Sequence, residues 1–293
     1  MKIQTECVPC LLKRINFEAD QSTNDYKIKN RTIKLTCKLL AELYDPDKCS
    51  ATIATKVHKL AYEILNDKDP YKKLKNKSNE IAKSLIPDVN DFINCSDDPL
   101  RIAMLCSIIG NMMDFGIAGA SDNPENLSED FDENFVEDLG HDDSEEIKKF
   151  LEKSKHVIFF TDNCGEIVFD KILCKHIKKL YPNIFLTVVV KGEPIISDAT
   201  IEDVKKLNFE EVCDEILTTG HFAIGLDFKQ IPEKLKNKIE KSDLIICKGM
   251  ANYEAFSEEN YYPVAYLLRT KCAPIARDIG LPLNINVVKL DVK

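Results

Sequence analysis

No glycine occurs before Gly110 in this chain of 293 residues, and all ten lie from there onward. A stretch of that length without glycine has few ways to build the tight turns and strand-end loops of a sheet. Its apolar spacing is helical. Ile53, Val57, Leu60, Ala61, Ile64 and Leu65 trace one face, with Ser50 placed as an N-cap. Residues 28–44, 70–86 and 99–115 carry the same period, and Pro70 and Pro99 sit near helix starts, where a missing N–H is tolerated.

From Val157 the pattern changes. Short apolar runs at 157–160, 184–190, 215–217, 244–247 and 264–268 each enter a polar or glycine-bearing turn, and a last run at 285–290 closes the chain. Helical spacing intervenes at 166–180 and 232–241. Such alternation predicts an α/β domain with a parallel sheet covered on both faces. The expected division is a helical domain over residues 1–150 and an α/β domain over 151–293.

Residues 122–146, at the junction, hold twelve acids and no Lys or Arg; they read as a solvated acidic loop with some helical turns. They account for the formal net charge of −9. The rest is close to neutral and offers no basic face for a nucleic acid polymer. No run reaches the ~18 apolar residues of a membrane span, and no apolar leader follows a basic start, so a cytoplasmic protein is expected. The eleven cysteines are odd in number and irregular in spacing, which suits thiols in a reducing compartment.

Ligands of an open parallel sheet bind beyond the carboxyl ends of its strands. Those ends are polar here: Asp162 and Asn163 after the first run, Lys191 through Asp198 to Thr200 after the second, Lys248 through Asn252 and Tyr253 after the fourth, and Lys271 after the fifth. Asp162, Asn163 and Asp198 make a hard oxygen set suited to a divalent ion with coordination left for water and substrate. Lysines and helix N-termini around the same crevice suit a phosphate ester. Asp162 or Asp198 alone would read better as a helix cap than as a catalytic group; four polar strand ends together point to function. The chain lacks a Gly-x-x-x-x-Gly-Lys-Ser/Thr loop, a Gly-x-Gly-x-x-Gly turn after the first run, His-Glu-x-x-His and Gly-x-Ser-x-Gly. An aspartyl-phosphate route would want a second Asp where Cys164 stands, which leaves attack by metal-activated water.

Cys7 and Cys10 form a Cys-x-x-Cys pair with three readings: packed thiols, a regulatory thiol pair, or part of a zinc site. The pair also supports an alternative function, a metabolite-binding or redox-sensing protein using the same crevice.

These residues resemble those of the metal-dependent damage-control phosphatases, long catalogued as a domain of unknown function. Asp162-Asn163-Cys164-Gly165-Glu166 is similar to the family's Asp-Asn-Ala-Gly-Glu, and the segments from Lys191 and from Lys248 to its Lys-Gly-x-Pro-Ile-x-Asn-Asp-Ala and Lys-Gly-x-x-Asn-Tyr. Gly110-Asn111-Met112-Met113-Asp114 is similar to its Gly-Asn-x-x-Asp element, and Lys271-Cys272 and Cys7-Val8-Pro9-Cys10 to features of its prokaryotic branch. The resemblance implies a helical domain packed on a Rossmann-like three-layer domain, and hydrolysis of phosphate monoesters of damaged or surplus metabolites, nucleotides or sugar phosphates. It implies metal on Asp162, Asn163 and Asp198, with Mn²⁺, Ni²⁺, Co²⁺ and Mg²⁺ all open. Substrate contacts are expected from Asn111, Asp114, Glu166, Lys248, Asn252, Tyr253 and Lys271. Cys164 and Ser197 depart from the family pattern, and are expected to tune substrate choice or to make the site sensitive to oxidation.

Overall fold

The computed structural model describes residues 1–110 and 137–292. Asn111, Asp114 and much of the acidic stretch lie outside the described residues. The glycine-free segment forms α1 (Cys7–Ser22), α2 (Tyr26–Leu43), α3 (Ser50–Leu65), α4 (Lys72–Ser84), α5 (Ile86–Asn94) and α6 (Pro99–Ile109). Asp25 caps α2 by accepting the Lys27 N–H, and Asp98 caps α6 by accepting that of Arg101. The single period over 70–86 is divided between α4 and α5, because Pro87 lacks an N–H and sits only in the first turn of the new helix.

The remainder runs β1 (Leu139–Asp142), α7 (Ser144–Leu151), β2 (His156–Phe160), α8 (Glu166–Leu180), β3 (Phe185–Val190), α9 (Ile201–Lys206), β4 (Glu215–Thr218), α10 (Glu233–Glu240), β5 (Leu244–Lys248), α11 (Gly249–Phe256), β6 (Val264–Arg269), α12 (Ala273–Ile279) and β7 (Asn286–Asp291). The sheet order is β1-β7-β6-β5-β2-β3-β4. Strands β2 to β6 are mutually parallel; β7 runs antiparallel to β6, and β1 lies parallel to β7. This is the expected α/β class with a mainly parallel sheet. From β2 the chain proceeds to β3 and β4 on one side, then to β5 and β6 on the other, which makes the β2–β5 boundary a topological switch point.

Two features differ from the sequence expectation. Residues 139–142, read as part of the acidic loop, form an edge strand, and Ser144–Leu151 forms a helix that buries Ile147 and Leu151. The α/β part therefore begins before residue 151. The helical segment is also not a separate layer. Strand β2 sends Val157 and Phe159 to one face of the sheet and Ile158 and Phe160 to the other. The first face packs with Ala82, Val89, Ile93, Met104 and Ile108 of α4, α5 and α6 in one continuous core. Helices α10, α11 and α12 cover the second face, while α1 and α3 share a third cluster with Ile195, Ile196 and Ile224 from the sheet-end loops. No helix among the described residues is long and apolar enough to cross a membrane, and all eleven cysteines are free.

Phe169 of α8 is fully buried against Gly110, where an added Cβ would come within 2.7 Å of its ring. The shared core predicts one cooperative urea transition for the whole chain, seen alike by far- and near-UV circular dichroism. Phe169→Ala should lower stability by about 3–5 kcal/mol without splitting it. Two separate transitions would show that the two parts fold independently.

Candidate functional site

The switch point sets Asp162 against β5. Gly249, at φ +73°, leaves room for it: a Cβ there would fall 1.8 Å from the Asp162 Oδ2. A side chain at that position would displace the carboxylate, and its backbone conformation also favours glycine.

The loops after β2 and β3 are pinned together. The Ala199 N–H donates to the Asp162 carbonyl at 2.8 Å and the Cys164 N–H to the Ser197 carbonyl at 2.8 Å, while Asn163 and Asp198 form an antiparallel bridge. This brings Asp162, Asn163 and Asp198 together, as the sequence suggested. The Asn163 Nδ2 donates to Asp162 Oδ2 at 2.9 Å, and the Ser197 hydroxyl donates to Asn163 Oδ1 at 2.6 Å. Lys191, just after β3, places its Nζ 3.3 Å from Asp198 Oδ2 and also donates to the Gly225 carbonyl.

Helices of the first segment hold these loops. Ile196, at φ +39°, donates its N–H to the Tyr62 hydroxyl at 3.0 Å. The Gly165 N–H donates to Asn79 Oδ1 at 2.6 Å, and Asn79 in turn donates to Asp203 at 3.1 Å. Tyr62 and Asn79 were not among the candidate residues, whereas Lys191 stood among the polar strand ends. Only the packing partners of Tyr62 and Asn79 reveal them, since a Tyr or Asn inside a helix carries no local signal of the loop it will touch.

Several candidates take other positions than expected. Lys248, expected at the substrate, is fully buried: it donates to Glu166, to Asp170 at 2.9 Å and to the Ser107 carbonyl at 2.9 Å. Glu166 is equally buried, and its second carboxylate oxygen accepts from the Asn163 backbone and amide at 3.4 Å. Burial, outweighing the pull of Lys248 and reinforced by the charge of Glu166, raises the Asp170 carboxyl to about 7. Asn252 donates to the Thr161 carbonyl at 3.0 Å and the Lys248 carbonyl at 2.8 Å, stitching the ends of β2 and β5 together. Tyr253 turns into the core beneath the sheet, donating to Asp278 at 2.9 Å and packing edge-on against Tyr266.

Of the candidates, Asp162, Asn163, Lys271, Cys7 and Cys10 line one cavity of about 350 Å³. Its other walls come from α1, α3, the start of α11 and the residues after Lys271. No group of three His, Cys, Asp or Glu side chains among the described residues is set to hold a metal. A metal here would rest on the two carboxylates and the Asn163 amide oxygen, a donor set that fits a hard divalent cation keeping water and substrate oxygens.

The chain belongs to the damage-control phosphatase ARMT1-like domain family, whose model matches residues 3–287. It is 40% identical to a damage-control phosphatase of Archaeoglobus fulgidus, over 99% of each chain. It is 30% identical to a damage-control phosphatase of Pyrococcus horikoshii, over 96% of each. A solved structure of a DUF89 family protein from Pyrococcus horikoshii matches 100% of both chains at 30% identity, with a TM-score of 0.89.

The buried cluster yields two expectations. Lys248→Met leaves two carboxylates without their cation and should cost about 3–5 kcal/mol of stability in urea titrations. Asp170 holds its proton to about pH 7 when folded, against ~4 when unfolded. Its contribution to stability is therefore complete below pH ~4 and lost as the pH rises through 7. Asp170→Asn, which cannot ionise, should remove that part of the slope; an unchanged slope would contradict the assignment.

Proposed function

We propose that this protein is a divalent-metal-dependent phosphatase that hydrolyses phosphate monoesters of damaged or surplus metabolites, nucleotides or sugar phosphates, in the cytoplasm. The family and the printed names of its relatives support the reaction class. One observation carries the assignment to this crevice: Asp162 and Asn163, at the switch point, line the same cavity as Lys271, with Asp198 bridged directly behind them.

Asp162, Asn163 and Asp198 would hold the metal, Mn²⁺, Ni²⁺, Co²⁺ or Mg²⁺. When bound, such an ion neutralises phosphate charge and acidifies water. The chain supplies the rest. Lys271, just beyond the carboxyl end of β6, brings positive charge to the phosphate. Ser197 and Glu166 orient the Asn163 amide by hydrogen bonds at 2.6 and 3.4 Å. Asn252 fixes the spacing of the two strand ends, and Lys191 balances Asp198. Water attacks phosphorus as the ester P–O bond breaks, giving the alcohol and inorganic phosphate.

The test is phosphate release from sugar phosphates and from normal and damaged nucleotides, with chelated protein and with each divalent ion added back. Metal-restored release is expected. Asp162→Ala and Asp198→Asn should abolish it with little change in the thermal melt, whereas Cys7→Ser should retain it. Full activity in either aspartate variant, or turnover indifferent to chelation, would overturn the assignment.

A further inference from the structure

Hydrolysis of an alkyl phosphate ester leaves an alkoxide that needs a proton as the P–O bond breaks, and no residue assigned above supplies it. The cavity that holds Asp162, Asn163 and Lys271 contains a donor. Helix α11 starts at Gly249, against Asp162, and presents Met250, Ala251 and Glu254 to the cavity. Asn252 and Tyr253 turn the other way, to the strand ends and the core. Glu254 stands one and a half turns beyond Gly249, roughly 7–8 Å along the helix axis, an offset that leaves room for a phosphate between Asp162 and the carboxyl.

The Glu254 carboxyl is half-buried, and its surroundings decide where a proton on it resides. The Ser50 hydroxyl of α3 donates to Oε2. Oε1 has no hydrogen-bond partner among the described residues. Because Oε2 already accepts, the carboxyl proton belongs on Oε1. Burial, reinforced by the charge of Asp278, raises this carboxyl above its ordinary range; the Ser50 bond, the Met1 amine and Arg14 oppose the shift without cancelling it.

The other groups around the cavity are poorer donors. The Arg14 guanidinium keeps its proton at any working pH. The carboxyl of Glu6 is exposed, and a backbone hydrogen bond followed by that of Arg277 holds it below the usual range, so it is ionised. The His58 ring is fully buried with Nδ1 2.7 Å from Glu18, and both its nitrogens are closed off from the cavity. Burial pushes the Cys272 thiol up to about 12 and raises that of Cys7, both far from working pH, and Cys10 is exposed. The Met1 amine is engaged by the Glu254 carbonyl, the Ser257 hydroxyl and the Glu258 carboxylate.

Resting on the phosphatase reading, we propose that Glu254 is the general acid of this site, with Ser50 as its positioning residue. The Oε1 proton passes to the ester oxygen as that oxygen takes the electron pair of the breaking P–O bond and departs as the alcohol. The oxygen of the attacking water forms the new bond to phosphorus and its proton goes to solvent, while a proton from solvent restores the carboxyl.

Two phosphates separate this role from a structural one. The nitrophenolate of 4-nitrophenyl phosphate leaves without a proton, whereas the alkoxide of ribose 5-phosphate needs one. Glu254→Gln keeps the size of the side chain and a hydrogen bond to Ser50 but has no acidic proton. With a divalent ion restored, it should lower kcat for ribose 5-phosphate at least about a hundredfold more than for 4-nitrophenyl phosphate. Ser50→Ala should bias the pair the same way by about tenfold. A structural fault slows both substrates alike, so equal losses, or none, would overturn the proposal. The proton is also read without metal or substrate: near neutral pH, the infrared spectrum of chelated wild type should carry a protonated-carboxyl band that Glu254→Gln lacks. Identical spectra would overturn the proposal too. If the wild type hydrolyses neither phosphate with any divalent ion, the phosphatase reading falls and takes the donor role with it, whereas a failure of Glu254 alone leaves wild-type turnover intact.

Discussion

A single buried ammonium organises the centre of this protein. Lys248 Nζ has no access to solvent, and its partners are two carboxylates of α8 and a carbonyl of α6. Taking such a charge out of water costs several kcal/mol, recovered only when its donors all find acceptors in good geometry. Helix α6 therefore cannot separate from the sheet without stranding a charge. Because Glu166 turns its other oxygen to Asn163, the same constraint fixes a residue at the crevice. The geometry of the crevice is thus tied to a buried ion cluster through Glu166.

The helical segment acts as a scaffold for the loops. Tyr62 holds Ile196 in a left-handed conformation that a β-branched residue rarely adopts, and Asn79 holds the turn at Gly165. Strain of that kind persists only where neighbours over-determine it. Here it shapes the loop that carries Asp198, whose backbone is bridged to Asn163. Four separate stretches of chain, around residues 62, 79, 163 and 198, must be in register before the oxygen set exists.

Much of this was legible in the sequence, for physical reasons that also mark where legibility ends. Strands buried on both faces read as continuous apolar runs, and five parallel ones place their polar ends on one edge, so Asp162, Asn163 and Asp198 could be grouped before any coordinates. Strand β1 could not be found that way. Its residues are alternately half-buried and exposed at the sheet's edge, among acids that mimic a loop. Lys248 and Tyr253 were placed at the right strand end but given the wrong direction. Residue type fixes what a side chain can do; which way it turns from a strand end depends on partners such as Asp170 and Asp278, far away in sequence and unmarked by any motif. The packing of α4 to α6 into the sheet's core was hidden likewise, since an amphipathic helix shows that it buries a face without showing against what.

The two departures from the family pattern are resolved by the same reasoning. Ser197 donates its hydroxyl to the Asn163 Oδ1 at 2.6 Å, leaving the Asn163 Nδ2 to face Asp162. A hydroxyl keeps the donor that an amide at this position would supply, in less volume, and so holds the Asn163 amide in one orientation. Cys164 was expected to tune substrate choice or to make the site sensitive to oxidation. It is instead buried in the core shared by the sheet and α4 to α6, and burial raises its thiol well above the ordinary range. Oxidation proceeds through the thiolate and needs access for the oxidant, and Cys164 offers neither. The larger side chain contributes packing where the family has a methyl group, so the substitution bears on the stability of the core and leaves the chemistry to the residues on either side of it.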